Sequence, residues 1–401
     1  MSGGAANRLI VLDVLRGAAV AGMILVTSPG EWNDAYAPLR HAEWNGWTLA
    51  DMVFPTFLFT VGMTLGLSFP RALSTPDARA RLWRRVARRA AGLILLGLAL
   101  NAVYTIAVPG IPVYIGHPGL AFVRIPGVLQ RIAICYIGAV AMILGFARKT
   151  PDGKLDINPR ALAAAIVAML LLYWALMRFV PVPGYGVGRL DPEGNLVAYI
   201  DRAVFTPRHM WPLGSVNWGG PVVYDPEGLL STVPAMTNTL IGVLAGWAWR
   251  RDARAAVPRI AIAGIALMAT ALLLDPFFPI NKKIWTSSFA LLSGGFSLLA
   301  LAALGLLLRS AMAERLAMPF RVLGGNAVLA FSVSILLTKF SGAPWFRWNG
   351  ETVTAQKWGD EVARNLIPDI HVASLACALA ILAIVTLPLW PLHRRAIHFR
   401  L

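Results

Sequence analysis

Apolar residues run in long blocks along this chain, separated by loops dense in Gly, Pro, Arg and Trp. A block of about 17 to 25 apolar residues suffices for a helix that crosses a hydrocarbon core, where the backbone must satisfy its own hydrogen bonds. The pattern predicts ten such helices, over 9–28, 52–70, 90–108, 126–147, 161–181, 233–249, 258–275, 288–308, 322–339 and 370–389. The expected fold class is all-α: a polytopic integral membrane protein with one bundle of about ten transmembrane helices. An even number returns both termini to one side. The first block has no small-residue cleavage site and leads through a polar loop into another span, so it reads as a permanent helix rather than a removed signal.

Composition agrees with the pattern. Of 401 residues, 57% are hydrophobic and 14% charged, with a mean hydropathy of +0.63, whereas a soluble domain carries about a quarter charged residues. The termini and alternate turns hold 22 Lys and Arg, against 10 in the opposite loops. The positive-inside bias therefore places both termini in the cytoplasm, and much of the net charge of +16 is topology. The stretch "RARLWRRVARRA", residues 79–90, resembles a nucleic-acid patch in isolation. Beside a membrane it reads as an anchor to anionic lipid, so membrane lipid is an expected partner and nucleic acid is not. Cys135 and Cys377 fall inside spans, which indicates neither a disulfide nor a thiolate metal site.

No soluble domain interrupts the bundle, so residues 1–401 read as one transmembrane domain with long outer loops at 29–51, 182–232 and 340–369. Nine of the fourteen tryptophans lie in outer loops: Trp32, Trp44, Trp47, Trp211, Trp218, Trp285, Trp345, Trp348 and Trp358. An interfacial aromatic belt accounts for such residues, but a belt borders both faces and this set borders one. Flat rings that pack on sugar faces are the second reading.

Charges inside apolar blocks carry the candidate chemistry. Asp13 and Arg16 lie three apart, on one helix face. They read either as an anchoring pair or as a cation for an anionic ligand entering from the cytoplasm. Gln130 and Arg131 enter the fourth span after a Pro-Gly break, and a charge there requires a protein partner or a ligand. Asn101, Asn281, Lys282, Lys283 and Asn326 add polar groups at or within spans, which together suggest a polar path. Thr48 and Asp51 form an [ST]-x-x-[DE] capping box before the second span. His41, Glu43 and Asn45 lead into it, and a histidine takes a proton or an acyl group where Lys or Arg does not. His117, His209 and His371 lack metal-ligand spacing, and no metalloprotease, nucleophile-elbow or nucleotide-binding motif occurs.

The blocks "LDVLRG", "RHAEWNGWTLADMVFPTFLF", "IPGVLQR", "YDPEG", "INKKIWT" and "GGNA" stand in an order similar to that of the heparan-α-glucosaminide N-acetyltransferase family and its bacterial homologues, transmembrane acyltransferases. "LDVLRG" is shared with other membrane acyltransferases; the histidine block and "IPGVLQR" are more specific. The large domain that precedes the spans in the lysosomal enzyme is expected to have no counterpart here. The resemblance implies transfer of an acetyl group from cytoplasmic acetyl-CoA, with no metal, to the amine of a free or terminal glucosamine across the membrane. It implies catalysis by His41, as base or acetyl acceptor, with Asp51 beside it. An Asn late in the first span of relatives is Thr27 here, the implied oxyanion contact. Coenzyme A would be met by Arg16, Arg124, Gln130, Arg131, Asn281, Lys282 and Asn326. A cationic amino sugar would be met by Glu31, Asp34, Glu43, Trp44, Asn45, Asp225 and Glu227. The cell inner membrane and a homodimer follow by family analogy. The alternatives are an O-acyltransferase of a cell-surface glycan and an amino-sugar transporter.

Overall fold

The computed structural model describes residues 3–69, 75–103, 105, 119–151, 154–216, 220–348 and 350–399. The helices, in chain order, are α1 Gly3–Thr27, α2 Leu49–Ser68, α3 Pro76–Ala102, α4 Val128–Gly145, α5 Pro159–Phe179 and α6 Leu196–Phe205. They continue as α7 Thr232–Arg251, α8 Ala253–Leu274, α9 Ser287–Leu307, α10 Ala311–Leu316, α11 Met318–Gly325, α12 Ala327–Ser341, α13 Ala355–Leu366 and α14 Ile370–Arg394. Two small antiparallel hairpins, at 148–156 and 344–354, complete the described structure. They pair locally within loops, where no hydrophobic pattern announced them.

Among the described residues, seven helices are long and apolar enough to cross a membrane: α1, α2, α4, α5, α8, α9 and α14. An eighth counts if α11 and α12, bent by 90°, form one broken span. The expected spans 90–108 and 233–249 fall on α3 and α7, which do not reach that apolar standard. The first half of α3 carries the arginines of 79–89, and residues 104 and 106–108 lie outside the described set. In α7, Thr237, Asn238 and Thr239 are fully buried among neighbouring helices. By contrast α5, α8 and α14 leave Leu171, Leu172, Ile262, Ile265, Leu273, Ile384 and Leu387 exposed. An apolar periphery of that extent suits lipid rather than water.

Glycine spacing sets the closest crossing. Gly62 and Gly66 of α2 face Gly242 and Gly246 of α7, and a Cβ at any of the four would overlap a carbonyl of the other helix: Thr239, Val243, Phe59 or Met63. Small residues four apart on both helices let backbones approach this closely in lipid. Gly62→Leu is therefore expected to destabilise the protein by about 3 kcal/mol or more, because neither backbone has room to yield. Thermal melting in detergent checks this, and a wild-type melting temperature would refute the packing argument. The crossing matters to function because α2 carries Asp51 in its first turn and α7 begins beside Ser231, two walls of the site.

Candidate active site

Asp51 closes the capping box at the start of α2, with its Oδ2 accepting the Thr48 N–H at 3.0 Å and the Ala42 N–H at 3.2 Å. Its other oxygen, Oδ1, meets His41 Nδ1 at 2.8 Å. The carboxylate therefore performs both jobs that the sequence leaves in competition, the helix cap and the histidine partner. The Thr48 hydroxyl donates to the Arg40 carbonyl at 2.7 Å and folds the 40–48 segment over the helix start.

A second loop comes in from between α8 and α9. Gly46 N–H donates to the Ile280 carbonyl at 2.7 Å, and Asn281 Nδ2 donates to Asn45 Oδ1 at 3.1 Å. Asn281 is itself braced, donating its N–H to Thr286 Oγ1 and accepting from Ile284 N–H. Trp285 turns this loop at φ +49°, a conformation rare for a bulky residue. Its ring is held edge-on by Phe54 and Phe289, and its Nε1 donates to Asn238 of α7. This frame holds Lys282 Nζ 3.0 Å from Nδ1 and 3.3 Å from Nε2 of His41, and 3.3 Å from Asp51 Oδ1.

The ionised carboxylate only accepts, so its contact assigns the ring proton to Nδ1 and the lone pair to Nε2. Asp51 keeps 1% of its side chain exposed and His41 keeps 33%. The packing of protein around the ring, and next the Lys282 ammonium, push His41 down to about 4 against the pull of Asp51. Burial and then Lys282 bring Lys283 down to about 8. Neutral imidazole with an accessible Nε2 accepts a proton or an acyl group.

Next to this group stands an ion-paired wall. Arg124 grips Asp225 with Nε at 2.9 Å and Nη2 at 2.5 Å, and Nη2 also meets Glu227. Asp225 further accepts the N–H groups of Trp211 and Glu227. Burial alone would lower Arg124, but the two carboxylates hold it above its ordinary value. Arg131, on the first turn of α4, donates to the Gly228 carbonyl at 3.0 Å and Ser231 Oγ at 2.5 Å, with its guanidinium 5.0 Å over the Trp285 ring. Asp201 went unnoticed in the sequence. It is fully buried, accepts the Leu229 N–H at 2.8 Å, and is pushed by burial to about 7. Lys283 lies over Trp211 at 5.2 Å, and Trp44 stands edge-on to Tyr224 while its Nε1 donates to the Leu190 carbonyl.

The remaining candidates lie along the helices and in the loops. Thr27 turns its hydroxyl back to the Met23 carbonyl at 2.8 Å. Gln130 Nε2 donates to the Ile125 carbonyl. Glu31 caps its own turn at Trp32, Asp34 pairs with Arg364, and Glu43 is exposed. Arg16 sits about 16 Å down α1 from Thr27. It donates to the Gly324 carbonyl at 3.1 Å and pairs with Asp13 at 3.5 Å. Asn326, at the bend between α11 and α12, donates to the Ile397 carbonyl and accepts the Phe399 N–H. Of the tryptophans, Trp285 is buried rather than presented outward. Trp218, the Trp345 side chain and His117 lie outside the described residues.

Residues 8–183 match the family model for heparan-alpha-glucosaminide N-acetyltransferase, catalytic. The enzyme of that name from Mus musculus is 30% identical over 318 residues, 71% of this chain and 47% of the relative. Its Homo sapiens counterpart is 29% identical over 324 residues, 72% of this chain and 47% of the relative. The chain is similar to this family over these residues. It spans about half the length of these curated relatives. Within the heparan-alpha-glucosaminide N-acetyltransferase match fall Arg16, Thr27, His41, Asp51, Arg124, Gln130 and Arg131. Asp225, Glu227, Asn281, Lys282 and Asn326 lie beyond it, and there only the structure connects Lys282 and Asn281 to the histidine loop.

Proposed function

We infer that the chain is a membrane N-acetyltransferase that moves the acetyl group of cytoplasmic acetyl-CoA to the amine of a free or terminal glucosamine on the extracytoplasmic side. The observation that carries this reading is His41, its Nδ1 proton fixed by Asp51 and the lone pair left on Nε2, inside the segment that matches the family model. In the overall reaction the thioester C–S bond is exchanged for an amide C–N bond. The ammonium of the sugar gives up two protons, one to the departing thiolate and one to solvent. His41 Nε2 serves as the base that takes a proton from the amine or as the carrier that takes the acetyl group. Either role needs the neutral ring.

The layout supports a donor and an acceptor that approach from opposite faces. From Asp51 to Thr64, which meets Arg16, α2 rises about 20 Å. The basic residues beside Arg16 favour the cytoplasmic side for that end and for both termini. We assign α3 and α7 as spans along with the eight more apolar candidates, the inner membrane as the location, and a homodimer as the assembly. Arg124 and Asp225 hold each other, so they build the wall of the site rather than meeting phosphate and sugar separately. Glu43, exposed beside His41, is the acid best placed to attract a cationic amine.

The test is acetyl transfer in proteoliposomes with labelled acetyl-CoA. Label is expected in glucosamine and not in a sugar whose amine is already blocked. Equal labelling of the blocked sugar would identify an O-acyltransferase. Glucosamine uptake independent of acetyl-CoA, without labelled product, would identify a transporter.

A further inference from the structure

Two cations compete for one carboxylate in this site. Asp51 is buried, and a buried carboxylate is tolerated when one cation compensates it. His41 touches Oδ1 at 2.8 Å and Lys282 touches the same oxygen at 3.3 Å. If both were charged, the trio would carry a net positive charge in a confined space. Burial pulls Lys282 below its ordinary value, with Asp51 and Glu227 pulling the other way, but a lysine starts so far above a histidine that the ammonium prevails.

The position of Lys282 over the ring adds a second point. Its Nζ lies almost equally far from Nδ1 and Nε2, at 3.0 and 3.3 Å. A point in the ring plane that close to both nitrogens would collide with the carbon between them, so the ammonium lies over the ring face. From there it leaves the Nε2 lone pair, which lies in the plane, unobstructed.

We propose that Lys282 is the counter-ion of Asp51, and that by filling this place it keeps His41 as a neutral imidazole with Nε2 open to the reactants. The charged groups that face His41 are Asp51 from α2 and Lys282 and Lys283 from the loop before α9; Glu227 and Arg131 act on Lys282. Lys282 is therefore a positioning residue that acts through His41 rather than a contact for coenzyme A phosphates. Its catalytic meaning rests on the acetyltransferase reading; its effect on the ring does not.

Modification of His41 by diethyl pyrocarbonate, located by mass spectrometry in the full chain in detergent, reads the neutral ring without acetyl-CoA or sugar. In the wild type the rate at His41 is expected to be constant from pH 8 to 5.5, consistent with a ring that stays neutral down to about 4. In Lys282→Met the ring becomes the only cation in contact with Asp51, its midpoint rises to pH 6 or above, and reactivity falls about four-fold or more between pH 8 and 5.5. Lys282→Arg restores the flat profile. A flat profile in Lys282→Met overturns the proposal. So does a wild-type midpoint near 6.5, which decides the matter alone if Lys282→Met does not fold. If the profiles come out as expected but no sugar is acetylated, the functional reading fails and this one stands.

Discussion

His41→Ala is expected to lower acetyl transfer to glucosamine by about 10² to 10⁴-fold, the range supplied by a positioned proton-transfer group. The variant removes the Nε2 lone pair and nothing that holds the site together. Asp51 Oδ2 still caps α2 through Thr48, and Lys282 still compensates Oδ1. Melting temperature should therefore stay near that of the wild type while the initial rate collapses. A rate within about three-fold of wild type would remove His41 from the reaction. The pH dependence separates the ring from the substrate. Packing and Lys282 hold His41 at about 4, so loss of wild-type rate from pH 8 to 6 reports protonation of the acceptor amine, not of His41. An acceptor with a less basic amine should move that limb to lower pH. Stability follows the opposite group. The folded-state value lies below the unfolded one of about 6.5, so the contribution of His41 is present above that pH. It fades as pH falls toward 4, where the unfolded chain takes a proton that the native ring refuses.

Much of the membrane architecture was legible because a long apolar block has few solutions in lipid. The blocks at α1, α2, α4, α5, α8, α9 and α14 each contain a helix of sufficient length and hydropathy. α7 was less distinct, since Thr237, Asn238 and Thr239 interrupt its apolar run inside the bundle, where Asn238 reaches Ala290 and Ser293 of α9. The histidine loop was also legible, through a capping pattern that occupies four consecutive residues. What the chain concealed was partnership across distance. Lys282 and His41 are 241 positions apart, and Arg16 and Gly324 are 308 apart. A polar side chain in an apolar block signals only that something must satisfy it. Arg16 was open between an anchoring pair and a ligand cation, and Asn326 and Gln130 counted toward a polar path; in the structure each bonds a backbone carbonyl. Gly62 and Gly66 meet Gly242 and Gly246 across α2 and α7, and which helix faces which is a tertiary fact.

Asp51→Asn should cost on the order of 10³ to 10⁴ in turnover while sparing the fold, because the amide keeps the shape of the carboxylate and inverts one of its roles. The amide oxygen has to remain with the Thr48 and Ala42 N–H groups, which donate to Oδ2 at 3.0 and 3.2 Å. The amide nitrogen then faces His41 Nδ1, and two donors cannot share a hydrogen bond. The ring answers by moving its proton to Nε2 and accepting through Nδ1, which removes the lone pair from the reacting edge. A wrong tautomer imposed by Asp-to-Asn replacement beside a catalytic histidine costs about 10⁴ in a serine protease. Lys282 meanwhile loses its compensating carboxylate and repels the new amide donor. Asp51→Ala discriminates between the two jobs. It also abolishes the cap, at about 1 kcal/mol, so turnover and melting temperature fall together. Turnover in Asp51→Asn above a tenth of wild type would mean that His41 acts without a fixed tautomer. Asp51 would then serve α2 alone, and the orientation of the ring would have to come from Lys282.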